Sequence, residues 1–239
     1  MGRIKRFRTA LKRHHRSKGH GIHSPYAYRF VRFVLCEKSP YYCYEELGEL
    51  RKAVVDTLRD VKNHPRIVSF KGLKMLFRVV NHFNQPCIMQ VGTSYGLTTA
   101  TMLDVNSTSR VWLYDPHLET YNVTARVLMP YIERVQCYNR LDVAVADYHD
   151  SVPEGAFPLV LVNSIPQESD LEEIEAWLAS MLEADCVIMM RNLHRSNAMK
   201  HLWQHLKQNM THGQSFTNEK TAFIVTNKKL NLQHFFLWF

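Results

Sequence analysis

Pro86 to Thr101 reads PCIMQVGTSYGLTTAT, a buried strand, a glycine turn and a helix start in unbroken succession. Cys87 to Val91 is apolar apart from Gln90, the pattern of a central parallel strand covered on both faces. Gly92 and Gly96 bracket a turn that opens a helix over Leu97 to Leu103. This arrangement makes a ligand crevice at the carboxyl end of a sheet, where bare backbone and a helix N-terminus can approach a cofactor. A tight strand-to-helix connection also needs glycine for its own geometry, so the motif alone leaves both readings open.

Outward from this stretch the pattern alternates. Strands are expected at Arg110 to Tyr114, Val135 to Tyr138, Leu159 to Val162 and Cys186 to Met190, with helices over Leu118 to Met129, Asp142 to Tyr148, Leu171 to Leu182 and Asn197 to Met210. Strands alternating with helices imply a parallel sheet flanked by helices on both faces. Gln214 to Thr217 and Ala222 to Val225 are too close for a crossover and are expected to pair as an antiparallel hairpin. The tail LNLQHFFLWF is too aromatic for water and is expected to cover the sheet edge or a subunit contact in a homodimer.

Upstream, Ser24 and Pro25 read as an N-cap and first helical residue for a helix over Tyr26 to Leu35. Further helices are expected over Glu45 to Val61 and Lys71 to Phe83. The fold class is therefore α/β: a Rossmann-like three-layer sandwich with a mostly parallel seven-stranded sheet. Residues 1–65 form a helical extension with a basic arm, and residues 66–239 form the Rossmann-like domain.

The formal net charge is +8, but ten Lys and Arg residues precede the first acid, Glu37, which leaves 20 cations against 22 acids, a net of −2, in the remainder. The basic character thus belongs to the arm, which reads as a helix over Arg3 to Arg16 and is expected to bind polyanions non-specifically, nucleic acid among them. Five cysteines without a CxxC pair read as reduced residues of a cytoplasmic protein. No apolar run approaches a membrane span. His14, His15, His20 and His23 cluster without a cysteine or carboxylate beside them, and no metal is expected there.

These features together resemble the class I S-adenosylmethionine-dependent methyltransferases, in particular a bacterial O-methyltransferase-like family. QVGTSYGLTTA (90–100) is similar to that family's first cofactor motif, Glu-Leu-Gly-Thr-Ser-x-Gly, and HGIHSP (20–25) to its His-Gly-x-His-Ser-Pro loop. YYCYEELGELRK (41–52), RNLHRS (191–196, against Asp-Asp-Ile-His-Trp-Ser) and Trp203 match further family features. The resemblance implies S-adenosylmethionine as cofactor, with Gly92, Thr93, Ser94 and Gly96 facing its methionine end. It also implies Asp115 on the ribose hydroxyls, Asp142 near the adenine, and Gln90 and Asn163 in the cofactor site. His194 would take the proton from an acceptor hydroxyl. Each has a plain structural alternative: Asp115 as a turn acid before Pro116, Asp142 as a helix N-cap, His194 as a loop histidine.

Where the family carries acids, this chain has Gln90, Asn163 and the pair Arg191-Asn192. Hard cations need carboxylate oxygens, and the Arg191 charge would repel them. No metal site is therefore expected. The implied activity is metal-independent methyl transfer to oxygen or nitrogen of a small-molecule or macromolecular acceptor. The competing reading, supported by the lost acids, is a catalytically degenerate pseudoenzyme that binds a cofactor or partner.

Overall fold

The structure, a computed structural model, describes residues 11, 13–62, 64–117 and 122–239. Most of the expected basic helix over Arg3 to Arg16 lies outside the described residues; residues 13–17 are helical. The first four residues of the helix expected from Leu118 also lie outside them. The described residues fall into two compact units: Pro40–Ile174, and the residues up to Ser39 together with Glu175–Phe239.

In the unit Pro40–Ile174, strands β1 (Cys87–Val91), β2 (Arg110–Tyr114), β3 (Val135–Tyr138) and β4 (Leu159–Val162) pair in parallel in the order β3-β2-β1-β4. All residues of β1 and β4 are buried, which is why their sequences run apolar instead of alternating. The unit also holds α2 (Cys43–Thr57), α3 (Phe70–Phe83), α4 (Leu97–Leu103), α5 (Asn122–Leu128) and α6 (Leu141–Ser151). Ser69 caps α3 by accepting the Gly72 N–H at 3.1 Å. Helix α4 is buried along its whole length, so its threonines must find partners inside: Thr101 Oγ1 donates to the Leu97 carbonyl at 2.7 Å. Tyr95, Leu97, Ala100 and Val127 join Val54, Leu58, Val68 and Leu73 in one apolar cluster that anchors the turn after β1.

In the other unit, β5 (Cys186–Arg191) pairs antiparallel with β7 (Thr221–Thr226), and β7 with β6 (Gln214–Thr217), the expected hairpin. The aromatic tail contributes an eighth strand, β8 (Gln233–Phe236), parallel to β6. The described chain therefore has eight strands where seven were expected, still mostly parallel. The added strand covers the backbone edge of β6 and stacks Phe235 on Phe216 with ring centroids 5.2 Å apart. The unit also contains α1 (Pro25–Phe30), which widens into a π-helical turn over Val31–Leu35, and α8 (Asn197–Asn209). Helix α7 (Leu171–Met181) spans the division at residue 174. Ser24 caps α1 as expected, accepting from the Ala27 N–H at 3.2 Å, and also accepts from Gln214 Nε2 at 2.7 Å.

Arg13 clasps the tail. Its Nε donates to the Leu237 carbonyl at 3.0 Å and its NH2 to the Asn218 carbonyl at 2.9 Å, while the guanidinium lies 3.9 Å from the centre of the Phe236 ring. Ser17 Oγ extends the clasp by accepting from the Trp238 N–H at 2.7 Å. One cation of the basic arm is thus already committed inside the protein.

Candidate functional site

The turn between β1 and α4 has an unusual backbone. Gly92, Ser94, Tyr95 and Gly96 all have positive φ, at 81°, 49°, 59° and 76°. For Ser94 and Tyr95 this is a sparsely populated region, and such residues persist only where their surroundings over-determine them. Tyr95 is held by burial in the apolar cluster and by its hydroxyl, which donates to the Pro65 carbonyl at 3.2 Å.

Two buried amides fix the start of the turn. Gln90 Nε2 donates to the Gly92 carbonyl at 2.7 Å and Asn163 Nδ2 to the same oxygen at 2.8 Å. Both also reach Thr98 Oγ1, at 3.2 and 2.9 Å, and Gln90 Oε1 accepts from Thr99 Oγ1 at 2.9 Å. An ionised carboxylate at either position could only accept and would face the Gly92 carbonyl with no proton between them. Gln90 and Asn163, which the family resemblance puts in the cofactor site, here hold the backbone of the turn, and this explains why amides stand in place of acids.

Asp115, at the end of β2, is buried and accepts one backbone N–H on each oxygen: Thr93 at 2.9 Å on Oδ2 and His117 at 3.0 Å on Oδ1. It ties the turn after β1 to the end of β2. A carboxylate has about four lone-pair sites, so both oxygens retain acceptor capacity for a ligand diol.

The two glycines are needed for different reasons. A Cβ at Gly92 would lie 2.4 Å from Ser164 Oγ and 3.3 Å from the Ser164 backbone. A Cβ at Gly96 would meet Val127 Cγ1 at 3.0 Å and Leu128 Cγ at 3.1 Å, so Gly96 allows α5 to pack closely. Within the turn, Ser94 is the residue with solvent access.

Two of the expected residues remain. Asp142 is exposed in the first turn of α6 and accepts from Arg140 Nε at 3.1 Å; that hydrogen bond holds its carboxyl below the usual carboxylate range. His194 is exposed and belongs to the other unit, three residues beyond Arg191. Arg191, buried at the end of β5, has its guanidinium pushed down to about 10 by burial, which leaves it cationic at neutral pH. A separate concavity of about 390 Å³ in the unit Pro40–Ile174 is lined by Glu46, Glu49, Asp104 and Tyr131 among others, and burial raises the Asp104 carboxyl.

No protein-family model matches this sequence, and no curated protein does. Solved structures do match in fold. Cofactor-bound Rv0187 from MTB is 16% identical, covering 80% of this chain and 100% of its own, with a TM-score of 0.54. TomG from Streptomyces achromogenes, an O-methyltransferase of tomaymycin synthesis solved with SAM, is 13% identical over 82% of this chain and 95% of its own (TM-score 0.52). An O-methyltransferase from Bacillus cereus in complex with SAH is 16% identical over 83% and 96% (TM-score 0.52). At these identities the likeness establishes the fold: this chain has the Rossmann-like α/β fold of these solved structures. Among the described residues no helix is long and apolar enough to cross a membrane.

Proposed function

We propose that the protein binds S-adenosylmethionine at the turn Gly92–Gly96 and transfers its methyl group to an oxygen or nitrogen acceptor. The observation that carries this reading is the strained run of positive φ at the carboxyl end of β1, tied to Asp115 at the end of β2. Strain of this kind concentrates at ligand clamps, and the similarly folded TomG and Bacillus cereus proteins were solved with SAM and SAH. In the proposed site Asp115 accepts the ribose hydroxyls, while Thr93 and Ser94 face the methionine end. Bound there, S-adenosylmethionine would supply an electrophilic methyl sulfonium, the acceptor atom taking the methyl as the demethylated thioether leaves, and His194 would be the group to take the acceptor proton. Positioning acceptor and sulfonium in line supplies much of the rate. No hard cation takes part, because Asn163, Arg191 and Asn192 offer no carboxylate.

A second reading, a cofactor- or partner-binding module without transfer, is favoured by the commitment of Gln90 and Asn163 to internal hydrogen bonds. Calorimetric titration of the full chain with S-adenosylmethionine and its demethylated product tests binding. Asp115→Asn should weaken binding about 10- to 100-fold through loss of charge-assisted hydrogen bonds. No heat and no thermal shift at millimolar ligand would overturn the proposal. Tight binding without methyl transfer to an acceptor panel would select the second reading. If transfer occurs, His194→Ala should lower kcat about 100- to 10,000-fold and leave ligand affinity unchanged.

A further inference from the structure

We infer that Glu175, His201 and His205 form a binding site for a divalent transition-metal ion of the zinc class, a site apart from the proposed methyltransferase chemistry and contrary to the sequence expectation of no metal. His201 and His205 are four residues apart on α8, which puts both imidazoles on one face. Glu175 on α7 faces them: its Oε2 lies 3.1 Å from His201 Nε2 and its Oε1 2.9 Å from His205 Nδ1. One donor atom from each residue lies within 4.8 Å of the others, and among the described residues this is the one such three-donor group.

Bonds of about 2.0 to 2.2 Å to a tetrahedral ion put neighbouring ligand atoms about 3.3 to 3.6 Å apart, so donors within 4.8 Å of one another close on a metal by shifts that side-chain rotation supplies. Glu175 Oε2 is buried and accepts no hydrogen bond, despite the imidazole nitrogen beside it. An acceptor left in that condition is costly unless something else satisfies it. The donor set decides the class of ion: two imidazole nitrogens and one carboxylate suit Zn²⁺, Co²⁺ or Ni²⁺, whereas Mg²⁺ and Ca²⁺ require mostly oxygen. The His201 side chain is 61% exposed, so water has room to complete the coordination. Both helical segments belong to one unit, from residue 175 onward, and a bound ion would link α7 to α8.

The test uses the full chain, stripped with chelator and titrated with Zn²⁺ and with Co²⁺. One equivalent should bind saturably, Co²⁺ should give the visible absorption of a low-coordinate nitrogen and oxygen site, and free metal at 100 times Kd should raise Tm by about 5 to 10 °C. Glu175→Gln and the double variant His201→Ala/His205→Ala should each weaken binding by more than about 100-fold, beyond the about 10- to 100-fold typical of losing an outer-shell partner. Unchanged near-ultraviolet circular dichroism and the Co²⁺ spectrum separate a lost ligand from a lost fold. Binding that survives in the double variant would place the metal on other histidines among the thirteen in the chain and overturn the inference. So would the absence of stoichiometric binding, with Glu175 then serving only as an ion-pair partner of the imidazoles. Neither result bears on S-adenosylmethionine binding, which is measured without metal.

Discussion

The turn after β1 and the C-terminal tail both present backbone that regular pairing does not satisfy, and they are held by opposite means. At the turn, the supporting groups are neutral amides and one carboxylate within the same sheet unit, all buried: Gln90, Asn163 and Asp115. At the tail, a single cation more than 200 residues away in sequence takes two carbonyls and one aromatic face: Arg13 with Leu237, Asn218 and Phe236. The turn stores strain behind a closed polar knot, whereas the tail is held by strand pairing, by Ser17 and by the long side chain of Arg13. Damage at the turn should therefore cost more and spread to ligand binding, and damage at the tail should stay a matter of stability.

The largest expected effect is Gly92→Val. A β-branched residue at φ +81° with its Cβ 2.4 Å from Ser164 Oγ combines backbone strain and overpacking, together about 2 to 6 kcal/mol. Each kcal/mol lowers Tm by about 2 to 4 °C in a chain of this size. The double variant Gly92→Ala/Ser164→Gly sharpens the point: removing the hydroxyl should recover most of the steric part, the Ser164 backbone at 3.3 Å remaining, and leave the strain. Full recovery would mean the backbone there is not strained. A loss of ligand binding on substituting Gly92 would thus have a structural cause before any contact with a cofactor.

Asn163→Asp comes next. It removes a donor from the Gly92 carbonyl and buries a carboxylate, costing about 1 to 3 kcal/mol or more. Burial raises the folded-state pKa of the new acid above its unfolded value, so the deficit relative to wild type should shrink as pH falls and grow as pH rises. Thermal melts across pH read this, and a pH-independent deficit would show that the knot is open to solvent.

Arg13→Ala should cost about 2 to 3 kcal/mol through lost hydrogen bonds and the cation–π contact, with S-adenosylmethionine affinity unchanged. A fall in ligand affinity equal to that of a turn variant would break the contrast between the two regions. Because Arg13 and Ser17 hold the tail, the arm's proposed affinity for polyanions is best tested by deleting residues 2–10 only. That removes four cations and should lower the log-log salt slope of duplex DNA binding by up to about 4. An unchanged slope would discard the idea. The smallest effect expected is none: millimolar Mg²⁺ or Ca²⁺ should leave Tm where chelator leaves it, and a saturable rise would show that other oxygens replace the missing acids.

Much of the fold was legible in the sequence. Buried parallel strands run apolar and stop at turn residues, which is why β1, β2 and β4 begin and end where the pattern put them; β3 keeps its expected bounds as a short outer strand with Gln136 and Cys137 exposed. The candidate site was legible only in part. Gly92 and Gly96 stood out by type and spacing and Asp115 through the family resemblance, but Gln90 and Asn163 looked like lost acids because nothing in a linear pattern says that two amides 73 residues apart converge on one carbonyl. The HLWQH segment carried a helical histidine pair, yet its carboxylate partner sits 26 residues upstream on another helix.

What the sequence determined by itself was local: which segments are strands or helices, where Ser24 caps a helix, which residues avoid water. These follow from side-chain periodicity and backbone preference, which act over a few residues. The tertiary structure decided what depends on distant segments meeting: the parallel pairing of β8 with β6, the Arg13 clasp, the amide knot under Gly92 and the placement of Glu175 against His201 and His205. Hydrogen bonds and ligand sets are three-dimensional coincidences of donor and acceptor, and they have no period along the chain.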